Sequence, residues 1–225
     1  MAVVGVDACK GGWIAVALRD GRGAQACYLP EIEALTDAIP DAEVVAIDIP
    51  IGLPLTGRRA ADIEAKAILG PRRNSVFFTP VRAALVAPDH ATANKLSVEL
   101  TGAGMSQQSF ALRRRIFEVE RWLPDAPCPV WEVHPEVSFT FLMGASASAS
   151  KKSWAGMIER RNALLDAGID LERVSGAAGV QAAVDDMLDA GAAAWTAKRL
   201  LDGTAHSIPS PPEFDTSGRA IAIWA

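Results

Sequence analysis

Ala2-Val3-Val4-Gly5-Val6-Asp7-Ala8-Cys9-Lys10-Gly11-Gly12-Trp13 runs through small and β-branched residues to a single carboxylate, Asp7, and then turns through two glycines. Val3, Val4 and Val6 suit a strand buried on both faces. The glycine pair permits a tight reversal into a second strand at 13–18. Asp20-Gly21-Arg22-Gly23 marks another turn, and 24–29 a third strand. Pro30, followed by Glu31 and Glu33, opens a helix whose apolar face is Ile32, Leu35 and Ile39. Residues 43–49 return to strand character in Val44-Val45-Ala46-Ile47-Asp48-Ile49, again with one carboxylate. Strand, strand, strand, helix, strand predicts an α/β sheet, an antiparallel meander joined to a parallel crossover. Asp7 is then either a turn residue or the edge of a site for a cation or phosphate, because an unpartnered buried carboxylate is costly.

The 225 residues, half of them hydrophobic and 22% charged, fit one soluble globular domain over 1–225. No apolar run has bilayer length and the N-terminus lacks a signal-peptide pattern. Cys9, Cys27 and Cys128 are odd in number and far apart, which argues for reduced thiols in the cytoplasm and against a disulfide frame or zinc knuckle. A net charge of -5 excludes a global attraction for nucleic acid, so any polyanion must be held by a local patch.

The middle of the chain changes character. Helical patterns at 58–69, 89–100 and 106–123, with a loop at 72–80, predict a helical insertion or lid over 55–127. Strand character returns at 129–137. An Ala/Ser connector at 145–150 leads to an amphipathic helix at 153–167 capped by Ser153, then to a long Ala-rich helix at 180–201. The Pro-rich tail ends in a short edge strand at 220–224.

Asp7 and Asp48 each close an apolar strand, so in one sheet they can meet at one edge. Asp186 and Asp189, three apart, share a helix face among alanines small enough for close packing. Like charges on a packed face need a cation between them, and four carboxylates suit Mg2+ or Mn2+; the alternative is a solvated helix face. Strand periodicity over 129–137 would place Glu132, His134 and Glu136 on one face, where the imidazole serves as a general base or, more simply, as a salt-bridged surface residue. Between Arg58 and Arg82, six cations (Arg58, Arg59, Lys66, Arg72, Arg73, Arg82) face only Asp62 and Glu64, with Lys151 and Lys152 further on. Arginine forks suit phosphate oxygens and Phe77 and Phe78 suit base stacking, although charge runs are commonly plain solvated surface. Gly102-Ala103-Gly104 before Ser106 reads equally as an anion-binding turn or a helix cap.

Taken together, Gly5-Val6-Asp7 with Gly12-Trp13, Ala46-Ile47-Asp48-Ile49-Pro50-Ile51-Gly52-Leu53-Pro54, Leu69-Gly70 through Arg73, Ser75-Val76-Phe77, Glu132-Val133-His134-Pro135-Glu136, Lys151-Lys152 and Asp186 to Ala190 resemble the predicted RNase H-like nuclease family, domain of unknown function 429. The resemblance implies an RNase H-like mixed five-stranded sheet flanked by helices, with Asp7 as first-strand acid, Asp48 as fourth-strand acid and Asp186 and Asp189 as the C-terminal helix pair, similar to RuvC-type resolvases. Where relatives often carry Cys-Asp after an arginine, this chain has Arg59-Ala60-Ala61-Asp62. The expectation is a metal-dependent nuclease in which Asp7, Asp48, Asp186 and Asp189 hold Mg2+ or Mn2+ and His134 and Glu136 assist. Arg59, Arg72, Arg73, Lys151 and Lys152 would contact nucleic acid or another phosphodiester. Two alternatives share the core: an ATP-dependent phosphotransferase of the actin and sugar-kinase kind, and a non-catalytic binding or regulatory protein.

Overall fold

The computed structural model describes every residue except Arg22, Arg173, Ser175, Thr216 and Ser217; the Arg22 position of the predicted turn therefore lies outside the described residues. In chain order the elements are β1 (Ala2–Cys9), β2 (Gly12–Leu18), β3 (Gln25–Leu29), α1 (Leu35–Ala38), β4 (Ala42–Ile47), α2 (Ala60–Leu69), α3 (Arg82–Leu85), α4 (His90–Thr101), α5 (Gln107–Ala111) and α6 (Arg113–Trp122). They continue with β5 (Val130–Glu132), α7 (Pro135–Met143), α8 (Trp154–Asp166), α9 (Gly176–Gln181), α10 (Val184–Leu201), β6 (Ser207–Phe214) and β7 (Ala220–Trp224). The main sheet has the order β3-β2-β1-β4-β5. β2 is antiparallel to both β1 and β3, while β4 runs parallel to β1 and β5, an arrangement consistent with an RNase H-like fold.

Alternation along the strands divides the core into two layers. Val4 and Val6 of β1, with Val45 and Ile47 of β4, face a cluster that includes Trp13, Leu85, Ile116 and Trp122. Val3, Val44 and Ala46 face Ala193 and Ala197 of α10. Gly5 lies on that second face, and α10 crosses it so closely that a Cβ there would stand 2.0 Å from the Ala194 nitrogen and 2.2 Å from the Ala190 oxygen. Only glycine fits, and the alanines opposite are the small residues such an approach needs. Among the described residues no helix is long and apolar enough to cross a membrane.

Several elements differ from expectation. The helix expected after Pro30 is a 3-10 turn at Ile32–Ala34 running into the single turn of α1. The stretch 106–123 is two helices, α5 and α6, meeting at Leu112. Residues 180–201 likewise divide between α9 and α10. The strand expected over 129–137 ends at Glu132, because Pro135 takes the first position of α7, where its missing N–H costs nothing and its fixed φ suits a helix. The tail strand β7 does not edge the main sheet; it pairs with β6 in a separate two-stranded sheet, linked to the end of β5 by a Val133–Trp224 bridge and the Trp131–Trp224 ring contact.

Because backbone rather than a flexible side chain meets the added methyl, Gly5→Ala should cost about 3 kcal/mol or more. Urea unfolding of wild type and variant checks this: the midpoint should drop with an unchanged slope.

Candidate functional site

Asp7 is two residues beyond Gly5 and Asp48 two beyond Ala46, so strand alternation puts both carboxylates on the α10 face. Val6 pairs with Ile47 in the parallel register and the Asp48 N–H donates to the Val6 carbonyl at 2.9 Å, which sets the two acids side by side at the C-terminal edge of β1 and β4. α10 runs antiparallel to β1, with Ala197 beside Val3 and Ala190 and Ala194 over Gly5. Toward its N-terminus Asp189 comes immediately before Ala190, and Asp186 about one turn further. All four acids line one cavity of about 480 Å³, together with Asp185, His134, Glu136, Lys151 and Lys152.

Burial and mutual repulsion mark the cluster. Asp7 is 7% exposed and Asp189 2%. Burial, reinforced by Asp48, Asp189 and Asp186, raises the Asp7 carboxyl well above its usual range. Burial likewise pushes Asp48 up to about 7 and Asp189 up to about 6, and raises Asp186. The counter-charge is Lys151, whose ammonium pairs with Asp189 Oδ2. Burial opposes that charge, but Asp189, Asp48 and Asp7 outweigh it and hold the ammonium above its ordinary value. Asp189 Oδ1 is buried with no hydrogen-bond partner. Asp186 half-caps its own helix, its Oδ2 accepting the Ala183 N–H at 3.1 Å.

The donor set is chemically right for a hard divalent cation: carboxylate oxygens, one of them orphaned, at the edge of a sheet. Among the described residues, however, no three His, Cys, Asp or Glu side chains form a group that could hold a metal ion. The acids converge without closing a coordination shell, and Lys151 stands among them.

His134 sits at the mouth of α7. Its Nε2 lies 3.2 Å from the Ser75 carbonyl, which can only accept, so Nε2 carries the proton and Nδ1 keeps its lone pair, buried and unpartnered. Burial lowers the imidazole pKa and favours this neutral form. Glu136 shares the cavity wall, but both its oxygens are taken by Arg160: Nε and Nη2 donate to Oε1 at 2.9 and 2.7 Å, and Nη2 donates to Oε2 at 2.7 Å. Arg160 Nη1 donates to the Ala149 and Gly156 carbonyls. Glu159 accepts the Ser148 and Ala149 N–H groups, and Arg72 Nε holds the Ala147 carbonyl at 3.0 Å. These bonds pin the segment that presents Lys151.

The expected positive residues divide accordingly. Lys151 and Lys152 reach the cavity, Lys152 being exposed. Arg59 is a correction. It also lines the cavity, but, only 4% exposed, it donates to both Glu132 oxygens at 2.7 Å and to Asp62 at 2.6 Å, while Glu132 also accepts the Ile51 N–H, so this guanidinium is committed to clamping β5 to α2 and is not free to grip phosphate. Arg72 and Arg73 do not line the cavity; Arg72 serves the 147–153 segment and Arg73 is exposed. Glu132, His134 and Glu136 do not share a strand face, since the backbone turns into α7 between them. Gly102, at φ 73°, caps α4, and Ser106 caps α5, in keeping with the capping alternative. Arg160 was missed, though its spacing of four from Gly156 and Leu164 places it on the buried stripe of α8.

A family model described as "Protein of unknown function (DUF429)" matches residues 5–214. No curated protein and no solved structure matches the chain significantly.

The raised carboxylates give a signed pH dependence. The native state retains protons that the unfolded chain releases near pH 4, so stability falls as pH rises from about 4 toward 7, where Asp48 titrates. Thermal unfolding in chelator should show that decline between pH 5 and 8, and Asp48→Asn should flatten it; an unchanged profile in the variant would remove Asp48 as its source.

Proposed function

The chain belongs to the family of proteins of unknown function DUF429, and from the chemistry of its site we propose that it is a phosphodiester hydrolase dependent on Mg2+ or Mn2+, acting on nucleic acid. The observation that carries this reading is the convergence of Asp7, Asp48, Asp186 and Asp189 on one cavity, where Lys151 is the cation paired with them and Lys152 is exposed at the wall. Four acids against so little positive charge leave an acid excess that burial and mutual repulsion keep partly protonated, and that repels a phosphodiester once ionised unless further positive charge enters with it. A bound divalent ion would offset that excess, polarise the phosphate and lower the pKa of a coordinated water.

Asp7, Asp48, Asp186 and Asp189 would hold such ions through their oxygens. Lys151 neutralises Asp189 and sits where a phosphate oxygen can take one of its remaining N–H donors. Neutral His134 lines the cavity and keeps an unpartnered Nδ1 lone pair, buried in this structure, that could accept a proton from attacking water once substrate or a cation opens the site to it. Glu136 does not take that role, because both oxygens are committed to Arg160; it positions the Lys151 segment instead. Three unpaired thiols, Cys9, Cys27 and Cys128, fit a reducing compartment such as the cytoplasm.

Incubation with labelled single-stranded, duplex and branched oligonucleotides in Mg2+ or Mn2+ tests the proposal. Asp7→Asn and Asp189→Asn should keep the fold and lose on the order of 100-fold or more in rate. Glu136→Gln should instead lower stability by about 3 kcal/mol, since it leaves Arg160 buried and only half paired. Absence of cation-dependent cleavage in wild type, on every substrate, would sink the reading.

A further inference from the structure

A second cavity, of about 390 Å³, lies between the Gly70–Ser75 turn with its following loop and the segment joining α4 to α5. Val76, Phe77 and Thr79 line both this cavity and the carboxylate cavity, so the two share a wall. Their electrostatics are opposite. The second cavity is lined by Arg58 and Lys66 and by no Asp or Glu. Arg58 stacks 3.8 Å above the Phe78 ring centroid, and Lys66 lies 4.8 Å from the same centroid while donating to the Arg73 and Val76 carbonyls. Among the described residues Arg58 makes no ion pair or hydrogen bond, so its N–H edges are open to a ligand. Phe77 is 46% exposed, a large aromatic surface left in water at the junction of the two cavities. Asn74 and Ser109 add polar groups to the same lining.

We propose that this pocket is a subsite for one unpaired nucleotide next to the reacting phosphate, its base against Phe77 and its flanking phosphate on Arg58; the proposal rests on the hydrolase reading above. An aromatic face offers stacking to any base, while a guanidinium pre-oriented on a second ring offers a fork to phosphate oxygens. The volume lies at the low end of small-ligand sites. It has room for a single nucleotide. Adjacency completes the argument: a chain crossing the wall shared at Val76, Phe77 and Thr79 passes from a cationic aromatic pocket directly to an acidic cavity. The substrate class is therefore single-stranded nucleic acid, or the unpaired strand of a flap or loop.

Fluorescence anisotropy with labelled oligothymidylate, oligouridylate and a duplex of equal length, in Ca2+, tests this without relying on turnover. Wild type should bind at least one single strand on the order of tenfold more tightly than the duplex. Phe77→Ala should remove roughly that factor and Phe77→Trp should restore it, since every base stacks on either ring. A difference between the two single-strand arms identifies DNA or RNA as the source, and either supports the subsite. Equal duplex affinity, an unchanged Phe77→Ala, or no oligonucleotide binding would overturn it. Cation-dependent cleavage alongside an unchanged Phe77→Ala would overturn the subsite alone. Loss of single-strand binding in Phe77→Ala without any cleavage would support the subsite and defeat the hydrolase reading.

Discussion

The backbone-to-backbone approach of α10 to β1 at Gly5 is the constraint on which the rest of the site depends. With any side chain at that position the helix would stand off the sheet, and its N-terminal acids would swing away from Asp7. The small face of α10, with Ala190, Ala193, Ala194 and Ala197, lets the helix lie flat on the sheet. Gly191 on the same helix receives α8, where Leu164 stands 2.9 Å from the place a Cβ would take. Gly156, at the start of α8, admits the Ser150 carbonyl in the same way. Three glycines thus connect the sheet, the acid-bearing helix and the segment that carries Lys151: at Gly5 and Gly156 a methyl group would collide with backbone, and at Gly191 it would press on the Leu164 side chain.

What this packing assembles is electrostatically unfavourable by itself. Buried carboxylates ordinarily find a partner, as Glu136 does in Arg160 and Glu132 in Arg59. Among the described residues Asp7 and Asp48 have no such guanidinium, and Lys151 serves Asp189 first. The contrast within one molecule separates two kinds of acid. Glu132 and Glu136 are satisfied and structural, whereas Asp7 and Asp48 are held together by burial alone and Asp189 keeps one buried oxygen unpartnered, which is the condition expected where a protein reserves charge for a ligand.

The sheet was legible because its strands carry strong local signals: Val-rich runs, turn glycines and a carboxylate at the close of two strands. The Asp7, Asp48, Asp186 and Asp189 set was legible for the same reason, as isolated charges in apolar or small-residue surroundings. Residues 129–137 misled because alternation alone suggested a strand, while the deciding feature was the fixed φ of Pro135. β6 was hidden because Pro209, Pro211 and Pro212 argue against a strand in any interior sheet position, and only a two-stranded ribbon accommodates them. Arg59 looked like a phosphate ligand because charge runs usually face solvent. Its partner Glu132 lies 73 positions away, a separation over which local sequence carries no signal.

A frustrated acid cluster has a direct thermodynamic signature when its missing partner arrives. Calorimetric titration of the chelator-treated protein with Mn2+ near pH 7, repeated in two buffers of different ionisation enthalpy, reads both binding and proton release. Saturable binding should appear with net release of protons from the cavity carboxylates, and should vanish in Asp7→Asn. Absence of binding, or proton-neutral binding that survives Asp7→Asn, would contradict the assignment of these acids to a cation.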